Sequence, residues 1–234
     1  MTKSVVIKIG GSFLLADGKP NAAILTDMAS TIKAIVGMGY RVAVVVGGGI
    51  AARQYIAAAD ALGANAGTKD MMGILVSRLN ARLFVQAYGD GCYDVPIENL
   101  DDLRVALQVR NVVVMGGLQP GQSTTAVAAL AAEYVGAEAV IFGTDVDGVY
   151  SADPRKDPTA KLFKEISYQR LRELSTSKEN TLPGQYRLMD SVALTILERS
   201  GMRANIILGT RDNYLALLEG NAVGTKICAH PKDE

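Results

Sequence analysis

Apolar residues fall along this chain in two rhythms. Five short runs are almost continuously hydrophobic: SVVIKI (4–9), RVAVVV (41–46), NVVVM (111–115), EAVIFG (138–143) and ANIIL (204–208). Unbroken runs of this length suit parallel strands covered on both faces. Between them, stretches near 21–36, 50–62, 70–88, 98–108, 124–135 and 185–200 repeat their apolar positions at helical spacing. The alternation predicts an α/β fold: a three-layer α-β-α sandwich with a mostly parallel central sheet. Right-handed crossovers would set the loops after each strand along one edge of that sheet. Two segments break the rhythm. TDVDGVYSADPRKDPTAK (144–161) reads as an ordered excursion anchored by Val146, Val149 and Tyr150, and STSKENTLPGQ (175–185) as a mobile polar stretch.

Composition narrows the possibilities. A chain of 234 residues suits one large domain, and a boundary near 144 would divide it into lobes of about 1–143 and 144–234. With 24 Lys and Arg against 24 Asp and Glu, and no basic run carrying aromatics, nucleic acid is not an expected partner. No apolar segment approaches the roughly 18 residues of a membrane span, and MTKSVVIKIGG lacks a signal-peptide layout. Cys92 and Cys228 have neither metal nor redox spacing, so they read as reduced thiols of a cytoplasmic protein. The single histidine, His230, lies in the polar tail AHPKDE. Any Ser-His-Asp triad or histidine metal site would have to use that one residue. Chemistry falls instead to lysine, arginine, carboxylates, backbone amides and a bound Mg²⁺.

Four predicted strands end in glycine-rich or polar loops: KIGGS (8–12), VGGGIAAR (46–53), GGLQPGQSTT (116–125) and GTDVDGVY (143–150). Ligands of open parallel sheets bind outside the carboxyl ends of the strands. Glycines there let backbone N–H groups converge on an anion, and a following helix adds its partial positive end. Four such loops on one edge point to a phosphate-rich ligand. GSFLLADGKP (11–20) is not a Walker A loop, since its spacing is too long and Pro20 replaces the hydroxyl. GGGIAA (47–52) fits the degenerate dinucleotide pattern, but the acidic residue at the right separation, Asp70, falls at a helix start instead of a strand end.

Three side chains each allow two readings. Lys8 interrupts a run that should be buried; it either snorkels at the strand end or faces a phosphate. Arg53 shares a helix face with Gly49 and leans towards the helix start, yet it would also serve as a solvated surface arginine. Asp70, two residues after a candidate N-cap, Thr68, either complements the helix dipole or accepts hydrogen bonds from a sugar.

KIGGS, VVVGGG with Arg53, TDVDGVYSADP and the MDSVA helix start resemble the amino-acid kinase superfamily over essentially the whole chain. GGLQPGQSTTAVAALAAE, GILVSRLNARL and the compact length resemble the archaeal-type uridylate (UMP) kinases in particular. That resemblance implies transfer of the ATP γ-phosphoryl group to UMP, with Mg²⁺ and without protein metal ligands, in a homohexamer. It implies that Lys8, Ile9, Gly10, Gly11, Ser12, Gly49 and Arg53 surround the ATP phosphates, with Thr144, Asp145, Tyr150 and Asp153 flanking its nucleoside. UMP would be held by Gly48, Asp70, Leu118, Gln119, Pro120, Gly121, Gln122, Ser123 and Thr124. Lys8, Arg53 and Asp145 would carry the catalysis, and Asp190 matches a position near the nucleotide. Asp145 departs from the pattern: these kinases usually have Asn or Lys there, whereas relatives that phosphorylate amino acids have Asp. An amino-acid carboxylate kinase, or a binding protein that holds nucleotide or oxyanion without turnover, are the alternatives.

Overall fold

The structure, a computed structural model, describes residues 3–16, 18–152, 154, 157–176 and 189–231. The strands are β1 (Lys3–Ile9), β2 (Leu15–Ala16), β3 (Lys19–Pro20), β4 (Tyr40–Val46), β5 (Val112–Met115), β6 (Ala139–Thr144), β7 (Glu165–Ser167), β8 (Ala204–Leu208) and β9 (Thr225–Cys228). The helices are α1 (Ala22–Gly37), α2 (Gly49–Ala61), α3 (Ala66–Tyr88), α4 (Leu100–Val109), α5 (Thr124–Val135), α6 (Tyr168–Thr176), α7 (Ser191–Ser200) and α8 (Arg211–Leu218). Seven strands form one sheet in the order β5-β4-β1-β6-β8-β9-β7, and β2 and β3 make a separate small hairpin. Pairing in the large sheet is parallel except between β8 and β9.

The five apolar runs became β1, β4, β5, β6 and β8, each almost wholly buried. Helices cover both faces, as continuous hydrophobicity requires. Val5, Ile7 and Ile9 of β1 point into one core with Ile32 of α1, Phe84 of α3 and Tyr214 of α8. Val6 points the other way, into a core with Leu103 of α4, Ala128 of α5, Leu171 of α6 and Leu194 of α7. Period-two alternation therefore sends Lys8 towards the α5 side.

Local signals set several boundaries. Asn21, Asn65, Asn99, Ser123 and Asp190 cap α1, α3, α4, α5 and α7, each accepting from a backbone N–H of the first turn. The expected cap of α3 is corrected: Asn65 holds that place, and Thr68 donates its N–H to it at 2.9 Å. The 185–200 helix is also shorter than expected, because α7 begins only after the Asp190 cap. In 144–161, Val149 is buried while Val146 and Tyr150 are half-buried. The bulk of the polar stretch 175–185, from 177 on, lies outside the described residues, as does Asp153. No described helix is long and apolar enough to cross a membrane.

Candidate functional site

Four of the glycine-rich or polar loops leave neighbouring strands of the sheet, because β5, β4, β1 and β6 are contiguous and parallel. Their register is level. Ile9 pairs with Val46 on one side and with Gly143 on the other, so three chains leave the sheet side by side. Backbone hydrogen bonds continue the connection past the strand ends: Gly47 N–H donates to Ile9 O at 3.0 Å, Gly10 N–H to Gly143 O at 3.3 Å, and Gly209 N–H to Thr144 O at 2.9 Å.

The glycines of the first two loops are required by contact with each other. A Cβ on Gly11 would lie 2.3 Å from both Gly47 O and Gly49 N, and one on Gly47 would lie 2.8 Å from Gly11 N. Gly49 adds a positive φ of 65° at the start of α2. The two loops can interlock only without side chains. That contact places Ser12, on the first loop, beside Arg53, one turn into α2, whose Nη2 donates to Ser12 Oγ at 3.4 Å.

Lys8 completes this cluster from below. Its ammonium lies next to Gly10, 3.9 Å from where a Cβ would sit. Among the described residues it makes no hydrogen bond or ion pair. Burial pulls its pKa below the ordinary lysine value, and the negative charge of Asp145 works against that shift. At the mouth of a glycine cradle, with the Asp145 charge only partly offsetting its burial, Lys8 is suited to meet an anion.

The third loop is organised from α3. Gly116 and Gly117 lie against that helix: a Cβ on Gly116 would be 2.7 Å from Arg78 N, and one on Gly117 would be 2.9 Å from Ile74 Cγ1. Ser77 Oγ accepts the Gly117 N–H at 2.7 Å. Arg78 donates to Gly117 O at 3.0 Å and to Leu118 O at 3.1 Å. Asn80, buried in the same helix, donates to Gly47 O at 3.0 Å and to Gly48 O at 3.4 Å. One helix thus holds both the 47–48 turn and the 116–118 turn. Sequence reasoning missed Ser77, Arg78 and Asn80. Their only signal was a cluster of three polar residues within four positions, 77–80, of a helix segment, GILVSRLNARL, whose one other polar residue is Arg82.

Asp70, in the second turn of α3, accepts the Gly121 N–H at 2.8 Å through Oδ2. Leu118, Gln119, Pro120 and Gln122 complete the turn above it; Gln119 and Pro120 are exposed, Leu118 and Gln122 half-buried. Thr124 begins α5 behind the Ser123 cap. Ser123 Oγ also donates to Asp190 Oδ2, so the capped starts of α5 and α7 are joined side chain to side chain. Asp70, Gly121, Ser123 and Asp190 border a cleft of about 460 Å³ that Arg172 and Ser191 also line.

On the fourth loop, Thr144 Oγ1 accepts the Val146 N–H at 3.1 Å and Asp145 is exposed. Tyr150 donates to Asp147 at 3.2 Å and bridges to Leu162. Beneath Gly143 sits the fully buried Tyr214, whose hydroxyl would be 1.8 Å from a Cβ there. The structure therefore gathers Lys8, Gly10, Gly11, Ser12, Gly49 and Arg53 into one cluster. The expectation for Ile9 is corrected, since its side chain lies in the opposite core and its carbonyl accepts from Gly47. Gly48, Asp70 and 118–124 form the adjoining group, and Thr144, Asp145 and Tyr150 stand on the opposite flank.

The chain is also similar to known proteins over almost its whole length. Residues 3–208 match the model of the amino acid kinase family. The uridylate kinase of Hyperthermus butylicus is 40% identical over 224 residues, 95% of this chain and 97% of that one. That of Pyrobaculum neutrophilum is 42% identical over 225 residues, covering 96% and 99%. The crystal structure of uridylate kinase from Archaeoglobus fulgidus superposes with a TM-score of 0.85 at 38% identity, covering 96% of this chain and 99% of that one.

Proposed function

This chain belongs to the amino acid kinase family, and on that footing we propose that it is a UMP kinase, transferring the γ-phosphoryl group of ATP to UMP to give UDP and ADP. Its full-length similarity to uridylate kinases supports the choice of acceptor. The observation that carries the reading is the interlock of the 10–12 and 47–49 loops, which sets Lys8 and Arg53 beside a turn anchored on the same α3 helix.

ATP takes the first cluster. Backbone amides of Gly11, Ser12 and Gly49 meet its phosphates at the start of α2, where the helix dipole adds to them, while Gly10, its N–H held by Gly143 O, only leaves room beside Lys8. Lys8 and Arg53 supply cations, and Thr144, Asp145, Tyr150 and Asp153 flank the nucleoside. UMP takes the second group, with Gly48 at its phosphate, Asp70 at its ribose through the oxygen not used by Gly121, and Leu118 to Thr124 around the base and phosphate. The acceptor half of the molecule thus runs to about residue 143 and the ATP half from about 144, although the phosphate cradle lies in the first half.

Phosphoryl transfer needs positioning and charge neutralisation more than covalent help. Two polyanions repel as they approach, and Lys8 and Arg53 screen the charge between them. Lys8 becomes a more stable cation once a phosphate supplies its missing partner. A phosphate monoester is already largely ionised at neutral pH, so no general base is needed.

Mg²⁺ is usually held by one or two carboxylates together with substrate phosphates. Among the described residues no group of three His, Cys, Asp or Glu could hold a metal, while Asp145 is an exposed carboxylate at this edge. That donor set would suit a Mg²⁺ carried by the ATP phosphates, with the Asp145 carboxylate available to it. When bound, the ion neutralises phosphate charge.

The protein works in the cytoplasm as a homo-oligomer, a hexamer on the family pattern. Supporting this, Met71, Leu75 and Leu79 form an exposed apolar stripe at fourfold spacing on α3, and Val105 and Val109 a second one on α4. A hexamer of paired dimers needs two kinds of interface, and two separate stripes provide for them.

The deciding experiment is an assay of purified protein with ATP, Mg²⁺ and a panel of acceptors. UDP formation from UMP is expected. Acyl-hydroxamate formation with an amino acid, or tight nucleotide binding without any UDP, would replace this reading.

A further inference from the structure

Each of the three nitrogens of the Arg78 guanidinium is engaged. Nε donates to Gly117 O at 3.0 Å, Nη2 to Leu118 O at 3.1 Å and Nη1 to Glu98 Oε2 at 2.6 Å. Two consecutive carbonyls are therefore turned towards α3 and held by one rigid fork. In a trans peptide the C=O and the following N–H point in opposite directions, and the described chain has no cis peptide. The N–H groups of Leu118 and Gln119 must then point away from α3. Neither has a partner among the described residues. Pro120 follows and has no N–H, so the pair ends there. The result is two adjacent outward donors on a turn whose polarity a side chain enforces.

We propose that Arg78 is the positioning residue for choice of acceptor base: by holding the Gly117 and Leu118 carbonyls, it presents a donor pair that favours a keto pyrimidine over an amino pyrimidine. This rests on the reading that residues 116–124 hold the acceptor nucleotide. Uracil offers a carbonyl acceptor at its 4-position, where cytosine offers an amino donor. Donor against donor leaves both groups unpaired, and a site built to hydrogen-bond rejects a mismatched analogue strongly. Glu98 acts behind Arg78 by fixing the third arm of the fork.

The test compares wild type, Arg78→Lys and Glu98→Gln for kcat/KM with UMP and with CMP, for the KM of ATP, and for thermal melting. Lysine keeps the charge but cannot hold both carbonyls with a planar fork. Arg78→Lys is expected to lower kcat/KM for UMP about tenfold, through KM, with a much smaller loss for CMP and an ATP KM within about twofold of wild type. Glu98→Gln is expected to move the UMP-to-CMP ratio the same way by less, and it carries the test if Arg78→Lys does not fold. Equal losses for both acceptors, or an unchanged ratio, would overturn the proposal. Hydrogen exchange of the wild type with and without UMP separates the two levels. Absence of protection over 116–124 would sink the acceptor-loop reading, whereas protection there with an unchanged ratio in the variants would sink only the role of Arg78.

Discussion

On the proposed reading, Lys8 trades stability for function. An ammonium near the end of a buried strand, with no described hydrogen bond or ion pair, costs folding free energy that a bound phosphate would offset. Its pKa in the folded state is lowered, so between that value and the ordinary 10.5 the native chain binds fewer protons than the unfolded one. Stability from this site therefore rises with pH through that window and is lost as pH falls through the folded pKa. Lys8→Met should lower kcat by about 10²–10³-fold while raising the melting temperature of the ligand-free protein. Its advantage in melting temperature should shrink as pH is raised towards 10.5. Thermal melts across pH, paired with turnover assays, check both halves. A variant that melts lower than wild type at neutral pH would mean that Lys8 has a partner in the resting protein. Cys92, by contrast, is simply buried: its thiol is pushed up to about 11 and plays no part in the edge chemistry.

The loops at the strand ends owe their shape to packing between elements as much as to turn preference. Gly11 faces Gly47 and Gly49, and Gly116 faces the backbone of α3, all at distances that exclude a Cβ. Gly11→Ala would push the 10–12 loop off the start of α2, separating Ser12 from Arg53. The expected cost is about 1–3 kcal/mol in stability, read by urea unfolding, together with loss of ATP affinity, read by calorimetry. UMP affinity should change far less, because the 116–118 turn is fastened to α3 by Ser77 and Arg78. If both nucleotides weaken equally, the donor and acceptor sites are not separately anchored. The Ser123–Asp190 bond ties the start of α5 to that of α7 in the same spirit, adding a tertiary contact to two ordinary helix caps.

In the molecule taken together, one seven-stranded sheet carries every piece of the edge, and α3 serves it twice. Its inner side fixes the 47–48 and 116–118 turns through Asn80, Ser77 and Arg78, while Met71, Leu75 and Leu79 are left on the outside, with Leu79 64% exposed. If a second copy covers that stripe, assembly and acceptor binding share a helix. Leu79→Glu should shift the mass measured by size exclusion with light scattering to a smaller species, and should weaken UMP binding as α3 loses its outer support. An unchanged mass would assign the interface elsewhere.

Much of this architecture could be read directly from the order of residues. β1, β4, β5, β6 and β8 were legible because a strand buried on both faces must be apolar throughout, whatever lies beside it. The edge carrying the loops followed from alternation alone, and Lys8 stood out as a charge inside such a run. The short pieces did not show: β7 has three residues, β9 has four, and α6 and α8 have nine and eight. Elements of that size exist only because distant partners hold them, as β9 does by joining β7 and β8. The chain also hid which duty each glycine performs. A glycine that binds an anion and one that admits a neighbouring backbone look alike in a string, and so do a polar residue facing water and one, like Asn80, facing a loop. Pattern along the chain reports the period of a segment and the face it buries. Which remote atoms meet that face depends on how loops close in space, and only the folded molecule decides that.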